Sequence, residues 1–250
     1  ERWHHRMERK VLDEATSVVA VSPLVQKEFQ EMTQTPVELI TNGFDECDFP
    51  EGMSKGAAGG PGRDFTITHT GLFASDGNPE ALWDILAEIC KDDHDFRKSL
   101  RIKLIGKTDR QITCAVENAG LKENLIDMGY QPHNVAVEEQ REASVLILPL
   151  RKEPEYKAVL PGKLFEYIAS GRPILGIGQP DGAMAMILKD TNTGVTIDWN
   201  DRESLKNHIL DCWKKHQDGN LTTEGADISC FTRRNLTRRM AELFDKITKK

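Results

Sequence analysis

The sequence predicts an α/β fold in which a parallel sheet is covered by helices on both faces. Two observations carry this prediction. Short β-branched runs alternate with amphipathic helical runs at even intervals over most of the 250 residues, the pattern of strand, crossover helix and parallel strand. Two of the strand runs also stop at glycines, Gly106 and Gly129. In open sheets of this class ligands lie at the carboxyl ends of the strands, so the loops after the strands are where function is to be sought.

Each element has its own signal. Residues 1–14 are charged, with Trp3, Met7, Val11 and Leu12 near helical spacing. Ser17–Val21 is a short β-branched run and reads as a buried strand. Ser22 is a good N-cap and Pro23 fits a first turn, so a helix runs from there to about Met32. Val37–Ile40 is a second strand, ended by a turn over Thr41–Asp45 in which Asn42 and Gly43 tolerate positive φ. Residues 50–63 hold almost no large apolar side chain and read as a flexible linker.

Beyond the linker, strands are expected at Phe65–Thr70, Arg101–Ile105, Leu125–Met128, Ser144–Pro149, Ile174–Ile177 and Gly194–Ile197. Helices are expected at Pro79–Cys90, Thr113–Ala119, Asn134–Glu142 and Lys163–Ser170, with a helical turn at Met184–Leu188. Two helices close the chain, Arg202–Gln217 and Thr232–Thr248. Trp83 and Trp213 fall on apolar helix faces and read as core. His4 and His5 read as surface groups, and His69 as a packed, hydrogen-bonded strand histidine.

Charge and cysteine content exclude several functions. Forty acidic residues against 33 basic ones give a net charge of −7, which argues against general nucleic-acid binding. The five cysteines are odd in number and widely spaced, without a C-x-x-C pair, so neither a disulfide framework nor a zinc site is expected. A reducing cytoplasm is the simplest location. No apolar run reaches membrane-spanning length, and no signal peptide is visible. The sequence opens inside a helical run without an initiator Met, which suggests a piece of a longer protein.

The most informative stretch is Leu160–Leu175, LPGKLFEYIASGRPIL. Pro161 fits the first position of a helix, where its missing N–H costs nothing. The N–H groups of Gly162, Lys163 and Leu164, with the helix dipole, then form an anion site. Gly162 lets a phosphate approach the backbone, and Lys163 adds a full charge. Glu166 lies about one turn further in, where a carboxylate suits the paired hydroxyls of a ribose. Gly171 and Pro173 stop the helix. On spacing alone, Glu166 as a solvated helix residue and Lys163 as a surface charge remain equally good readings.

This segment resembles the donor-binding helix of retaining glycosyltransferases of the two-domain GT-B fold, the family 4 or group 1 type. The family pattern is E-x-F-G-x-x-x-x-E, then a small residue, Gly and Pro-hydrophobic. The last Glu corresponds to Glu166, and Ala169–Ile174 matches the small residue, Gly and Pro-hydrophobic portion. Ser17–Ser22 resembles the last strand of the first domain, and Thr41–Asp45 the turn that opens the linker. His69-Thr70-Gly71, Leu104-Ile105-Gly106, Gly129-Tyr130 and Ala143–Pro149 match landmarks of the second domain in order.

The resemblance implies a Rossmann-like domain, the C-terminal half of a GT-B fold. Residues 1–45 would be the tail of the N-terminal, acceptor-side domain, and 46–64 a flexible linker. Residues 65–198 would bind the nucleotide sugar, and 199–250 would be C-terminal helices packing on that domain. The nucleotide-sugar site would use Gly71, Gly106, Lys107, Tyr130, Gly162, Lys163, Leu164 and Glu166. Glu166 would hold the ribose hydroxyls, and the amides near Lys163 and Leu164 the diphosphate.

Two stretches depart from the family pattern. The first Glu, eight residues before Glu166, is Ala158, and the following Phe-Gly is Leu160-Pro161. That puts the sugar end of the site in question, and Glu153 or Glu155 are candidates to substitute. The loop Leu72–Pro79 lacks the Arg and Lys that many relatives place after the first strand. Lys163, Lys107 and Arg151 are the remaining cations. Lys107 reads equally well as a solvated loop residue.

The leading expectation is therefore a hexosyltransferase of the retaining type, in polysaccharide or glycoconjugate biosynthesis. Its partners would be a nucleotide sugar and, through an N-terminal domain lying outside this sequence, an acceptor glycan or lipid-linked sugar. No cofactor, metal or nucleic acid is expected. The full-length protein would be cytoplasmic, with a peripheral position at the inner face of the membrane open to it, and this piece alone would be inactive. A nucleotide-sugar epimerase of the same fold and a non-catalytic nucleotide- or partner-binding module are the alternatives.

Overall fold

The computed structural model describes residues 2–49, 60, 62–223 and 227–248. Two parallel sheets organise the chain. The small one pairs β1 (Val18–Ala20) with β2 (Val37–Leu39), flanked by α1 (Arg2–Glu14) and α2 (Pro23–Met32). Ser22 stands at the start of α2, but its hydroxyl makes no capping bond and is buried without a partner among the described residues. The expected linker lies largely outside the described residues, at 50–59 and 61.

The large sheet has six parallel strands: β3 (Phe65–Thr70), β4 (Leu100–Ile105), β5 (Leu125–Gly129), β6 (Val145–Pro149), β7 (Ile174–Ile177) and β8 (Gly194–Ile197). Their order is β5-β4-β3-β6-β7-β8. The chain thus winds outward from β3, returns to β6 and winds outward the other way. This is the doubly wound Rossmann order, with its switch point between β3 and β6. β6 and β7 are apolar and buried along nearly their whole length, as expected for parallel strands covered on both faces.

The crossover helices fall into two contacting groups. One comprises α3 (Glu80–Asp92), α4 (His94–Ser99), α5 (Arg110–Asn118) and α9 (Arg202–Gln217). The other comprises α6 (His133–Glu142), α7 (Lys163–Ser170) and α8 (Ala183–Thr191). Trp83 and Trp213 are buried, Trp213 within an aromatic cluster of Phe65, Phe96 and His216. α4 has no counterpart in the sequence pattern, because HDFRKS offers a single apolar residue. It forms because the Asp93 carboxylate accepts from the Phe96 N–H and Phe96 is fully buried.

The closing helices part company. α9 packs on α3, whereas α10 (Arg233–Thr248) is bonded to the first segment of the chain. Arg233 N–H donates to Phe44 O (2.9 Å), Phe44 N–H to Phe231 O (3.1 Å), and Arg239 Nη2 to Leu39 O (2.6 Å). The turn at 41–45 is explained by this contact rather than by positive φ, which neither Asn42 nor Gly43 adopts. A Cβ on Gly43 would lie 2.1 Å from Phe231 O, so only glycine fits.

Candidate functional site

The strand ends on the β3 side of the switch point form a backbone rim. β3, β4 and β5 run out into Gly71, Gly106 and Gly129, with φ of 88°, 118° and 59°. Gly71 N–H donates to Ile105 O and Gly106 N–H to Gly129 O, both at 2.7 Å. A Cβ on Gly106 would stand 2.4 Å from Gly71 O, so the two turns touch through bare backbone. Further out, Phe73 N–H donates to Lys107 O and Asp109 N–H to Phe73 O, while the Asp109 carboxylate accepts from Ser75 N–H. The loops after β3 and β4 are thereby fixed to one another.

α7 begins beside this rim, on the loop that comes after β6. Gly162 is already helical (φ −55°, ψ −39°), and Leu164 N–H donates to Pro161 O at 3.0 Å. Leu164, expected to offer a free amide, has spent it on that first turn. The N–H groups of Gly162 and Lys163 have no hydrogen-bond partner among the described residues. These two amides, at the positive end of the helix dipole, are the donors open to an anion.

The Lys163 side chain folds back over the end of β3. Its ammonium donates to Leu72 O (3.2 Å) and to His69 Nε2 (3.1 Å), and a Cβ on Gly71 would lie 3.3 Å from Nζ. Burial pushes the Lys163 pKa down to about 8, against the attraction of Glu166. His69 is buried and stacked on Phe73 at 4.1 Å. Burial first, and the Lys163 charge second, hold its pKa well below the ordinary histidine value.

Glu166 is half-buried one turn along α7. Gln140, from α6, donates through Nε2 to Glu166 Oε2 (3.2 Å) and to Thr70 Oγ1 (3.0 Å). The neighbouring Tyr167 hydroxyl accepts the Thr70 N–H at 2.8 Å, and burial drives its pKa up to about 12. α7 is thus tied to β3 by Lys163 on one side and Tyr167 on the other.

Six of the expected residues, Gly71, Gly106, Gly162, Lys163, Leu164 and Glu166, belong to this strand-end and helix-start assembly. Lys107 and Tyr130 come directly after their glycines on the same rim, with exposed side chains. The Arg151 guanidinium is engaged by Asp76 (2.7 Å) and lies over the Tyr156 ring. Ala158 ends a 3₁₀ turn, Pro154–Ala158; Glu153 precedes that turn and Glu155 lies within it, both exposed. Sequence reasoning missed Gln140, Thr70 and Tyr167. The one signal in the sequence was the place of Gln140 three residues after the buried Val137, on the inner face of α6. Among the described residues no group of three or more His, Cys, Asp or Glu is placed to hold a metal ion. No helix among them is long and apolar enough to cross a membrane.

The family model described as glycosyl transferases group 1 matches residues 64–215. Among solved structures, sucrose-phosphate synthase from Thermosynechococcus elongatus is 18% identical with a TM-score of 0.71, covering all of this chain and 62% of its own. A glycosyltransferase from Rickettsia africae is 15% identical with a TM-score of 0.76, over 100% of this chain and 68% of that one. Anabaena HepE, solved in complex with UDP-glucose, is 16% identical with a TM-score of 0.68, over 98% and 68%. At such identities the likeness is one of fold, and this chain spans less than two thirds of the synthase. No curated protein sequence matches it.

Proposed function

The chain belongs to the group 1 glycosyl transferases, and on that premise we propose that the start of α7 receives the diphosphate of a nucleoside diphosphate sugar. One observation carries the reading: the amides of Gly162 and Lys163 have no hydrogen-bond partner among the described residues, and the Lys163 ammonium reaches back over Gly71 at the end of β3, beside the sheet's switch point. The amides, the dipole and the ammonium take up the charge that develops on the leaving diphosphate as the glycosidic bond to the sugar breaks. Because they are already in place, little reorganisation accompanies that step. Glu166, oriented by Gln140, accepts from the ribose hydroxyls, and the exposed Tyr130 and the Gly129 turn lie where the base is held.

The reaction this site serves is transfer with retention of configuration, to a glycan or lipid-linked acceptor held by a further domain. That the neighbour HepE was solved with UDP-glucose supports a nucleotide-sugar donor for the shared fold. A second reading, donor binding without transfer, rests on Ala158 at the position of the family's first Glu. Titration calorimetry of this chain with UDP, GDP, ADP and their sugars, beside Glu166→Ala, tests the first reading. One diphosphate should bind saturably, and the variant should lose about 1–3 kcal/mol, the worth of a charge-assisted hydrogen bond. Equal binding by both proteins would remove Glu166 from the site.

A further inference from the structure

We infer that His69 is a positioning residue for the diphosphate-binding lysine: as a neutral acceptor, it holds the Lys163 ammonium over Gly71. This rests on the donor-site reading above and adds a residue that contributes no charge of its own to the ligand.

Hydrogen-bond polarity fixes the state of the ring. An ammonium has three protons and no lone pair, so Lys163 donates in both its contacts, to Leu72 O and to His69 Nε2. His69 Nε2 must then be the unprotonated nitrogen, and the ring proton sits on Nδ1. Nδ1 is buried and has no hydrogen-bond partner among the described residues. A buried histidine with an orphaned N–H is costly by itself. A leucine would fill that core position without this cost, so the acceptor at Nε2 is the chemical property that distinguishes histidine here.

Neutrality is the second requirement. A protonated ring 3.1 Å from the ammonium would expel it by like-charge repulsion. Burial of the ring, stacked on Phe73, disfavours the imidazolium, and Lys163 disfavours it further. Among the described residues the titratable groups coupled to the ammonium are His69 from β3 and Glu166 on its own helix, and the Glu166 charge also reaches His133 at the start of α6. Glu166 favours the charged lysine; burial opposes it. The loop after β3, Leu72–Pro79, carries no Lys or Arg. The ammonium swung back from α7 onto Leu72 O therefore supplies the cation at this strand end.

The pH dependence has a definite sign. Diphosphate binding needs the ammonium, so affinity falls as pH rises through the Lys163 pKa of about 8. Removing the acceptor at His69 leaves the desolvated ammonium with one partner fewer. Its pKa falls, and the alkaline limb of binding moves to lower pH. His69→Gln keeps an acceptor at similar reach and should leave the limb in place.

The test is calorimetric titration of the whole chain between about pH 6.5 and about pH 9.5. Inorganic pyrophosphate and the nucleoside diphosphates UDP, GDP and ADP serve as probes, with His69→Leu, His69→Gln and Lys163→Met as variants and thermal unfolding of each as the folding control. Near neutral pH, His69→Leu should bind the probes about three- to tenfold more weakly, the scale of one hydrogen bond. Its limb should shift acidward, His69→Gln should restore both, and Lys163→Met should abolish the limb. Probe binding with the same limb in wild type and His69→Leu would overturn the positioning role and leave the donor site standing. Pyrophosphate binding that tracks the predicted limbs, without binding of any nucleoside diphosphate, would sink the nucleotide reading and leave the His69 role intact. Failure of every probe to bind wild type would overturn both.

Discussion

Gln140 Nε2 lies 3.2 Å from Glu166 Oε2 and 3.0 Å from Thr70 Oγ1, so one buried amide joins the carboxylate of α7 to the end of the central strand. The donors are spent on these two groups, and Gln140 Oε1 is left buried without a partner among the described residues. The fold therefore gains less from this side chain than from a fully satisfied amide.

Gln140→Leu should therefore separate function from stability. The substitution removes the orphaned oxygen, which offsets part of the cost of taking a donor from Thr70 Oγ1, itself still bonded to the Tyr167 hydroxyl, so urea unfolding should shift by less than about 1 kcal/mol. Affinity for the bound diphosphate should nevertheless fall about fivefold to tenfold, because Glu166 loses the donor that orients it. Equal loss of stability and affinity would mean that Gln140 is only structural.

Gly106→Ala addresses the rim. Its φ of 118° is strained for any L side chain, and the new Cβ would stand 2.4 Å from Gly71 O, against backbone that cannot turn aside. A loss of about 1–3 kcal/mol or more in unfolding free energy is expected. Gly71, at φ 88°, is strained for an L side chain too, but the nearest atoms to its Cβ are the flexible tip of Lys163, at 3.3 Å, so the backbone clash is missing. Gly71→Ala should thus weaken anion binding relative to its cost in stability. Comparable stabilities of the two variants would contradict the close approach of the turns.

The legible part of this molecule is what local chemistry dictates. α7 ends and β7 begins where Gly171 and Pro173 imply, with Gly171 in the left-handed cap at φ 70°, whereas Pro161 stands two residues before α7 rather than at its first position. α5 starts at Arg110 instead of Thr113, because Asp109 marks the start while its carboxylate bonds Ser75 rather than its own helix. The placing of the candidate residues was partly legible too: Lys163 and Glu166 stand on the first turns of α7, where the sequence puts them. Their partners were not. His69 is 94 residues from Lys163 and Gln140 is 26 from Glu166, and no periodicity links them. The spent amide of Leu164 was equally hidden, since the i to i+3 bond to Pro161 depends on how the chain enters the helix.

His133 and Asp48 form an ion pair of 2.9 Å between the start of α6 and the segment that precedes residues 50–59. The hydrogen bond to Asp48, and then its charge, raise the His133 pKa above the ordinary value despite some desolvation. A group whose folded pKa is raised stabilises the fold fully below its unfolded pKa, and that stabilisation disappears as pH rises through the folded pKa. The pair is largely exposed, so about 0.2–1 kcal/mol is expected. His133→Gln should be less stable than wild type near pH 5.5 and indistinguishable from it near pH 8.5, the first lying below and the second above histidine titration at about 6.5. A gap that persists at the higher pH would show that the contact does not depend on the charge.

Tyr167 is the other tie between α7 and β3. Its hydroxyl is buried, stays protonated with a pKa of about 12, and accepts the Thr70 N–H at 2.8 Å. Tyr167→Phe fills the same space but leaves that N–H without an acceptor in a dry environment, at a cost of about 1–3 kcal/mol. In urea the midpoint should fall while the slope stays constant, the mark of lost stability without a change in exposed surface. Because Thr70 precedes Gly71, the end of β3 should also loosen beneath the Lys163 side chain. Hydrogen exchange at the Thr70 amide should then accelerate more than exchange in β7, where the ladder is untouched. Uniform acceleration across both strands would instead report global destabilisation, and an unchanged Thr70 rate would show that the amide has found another acceptor.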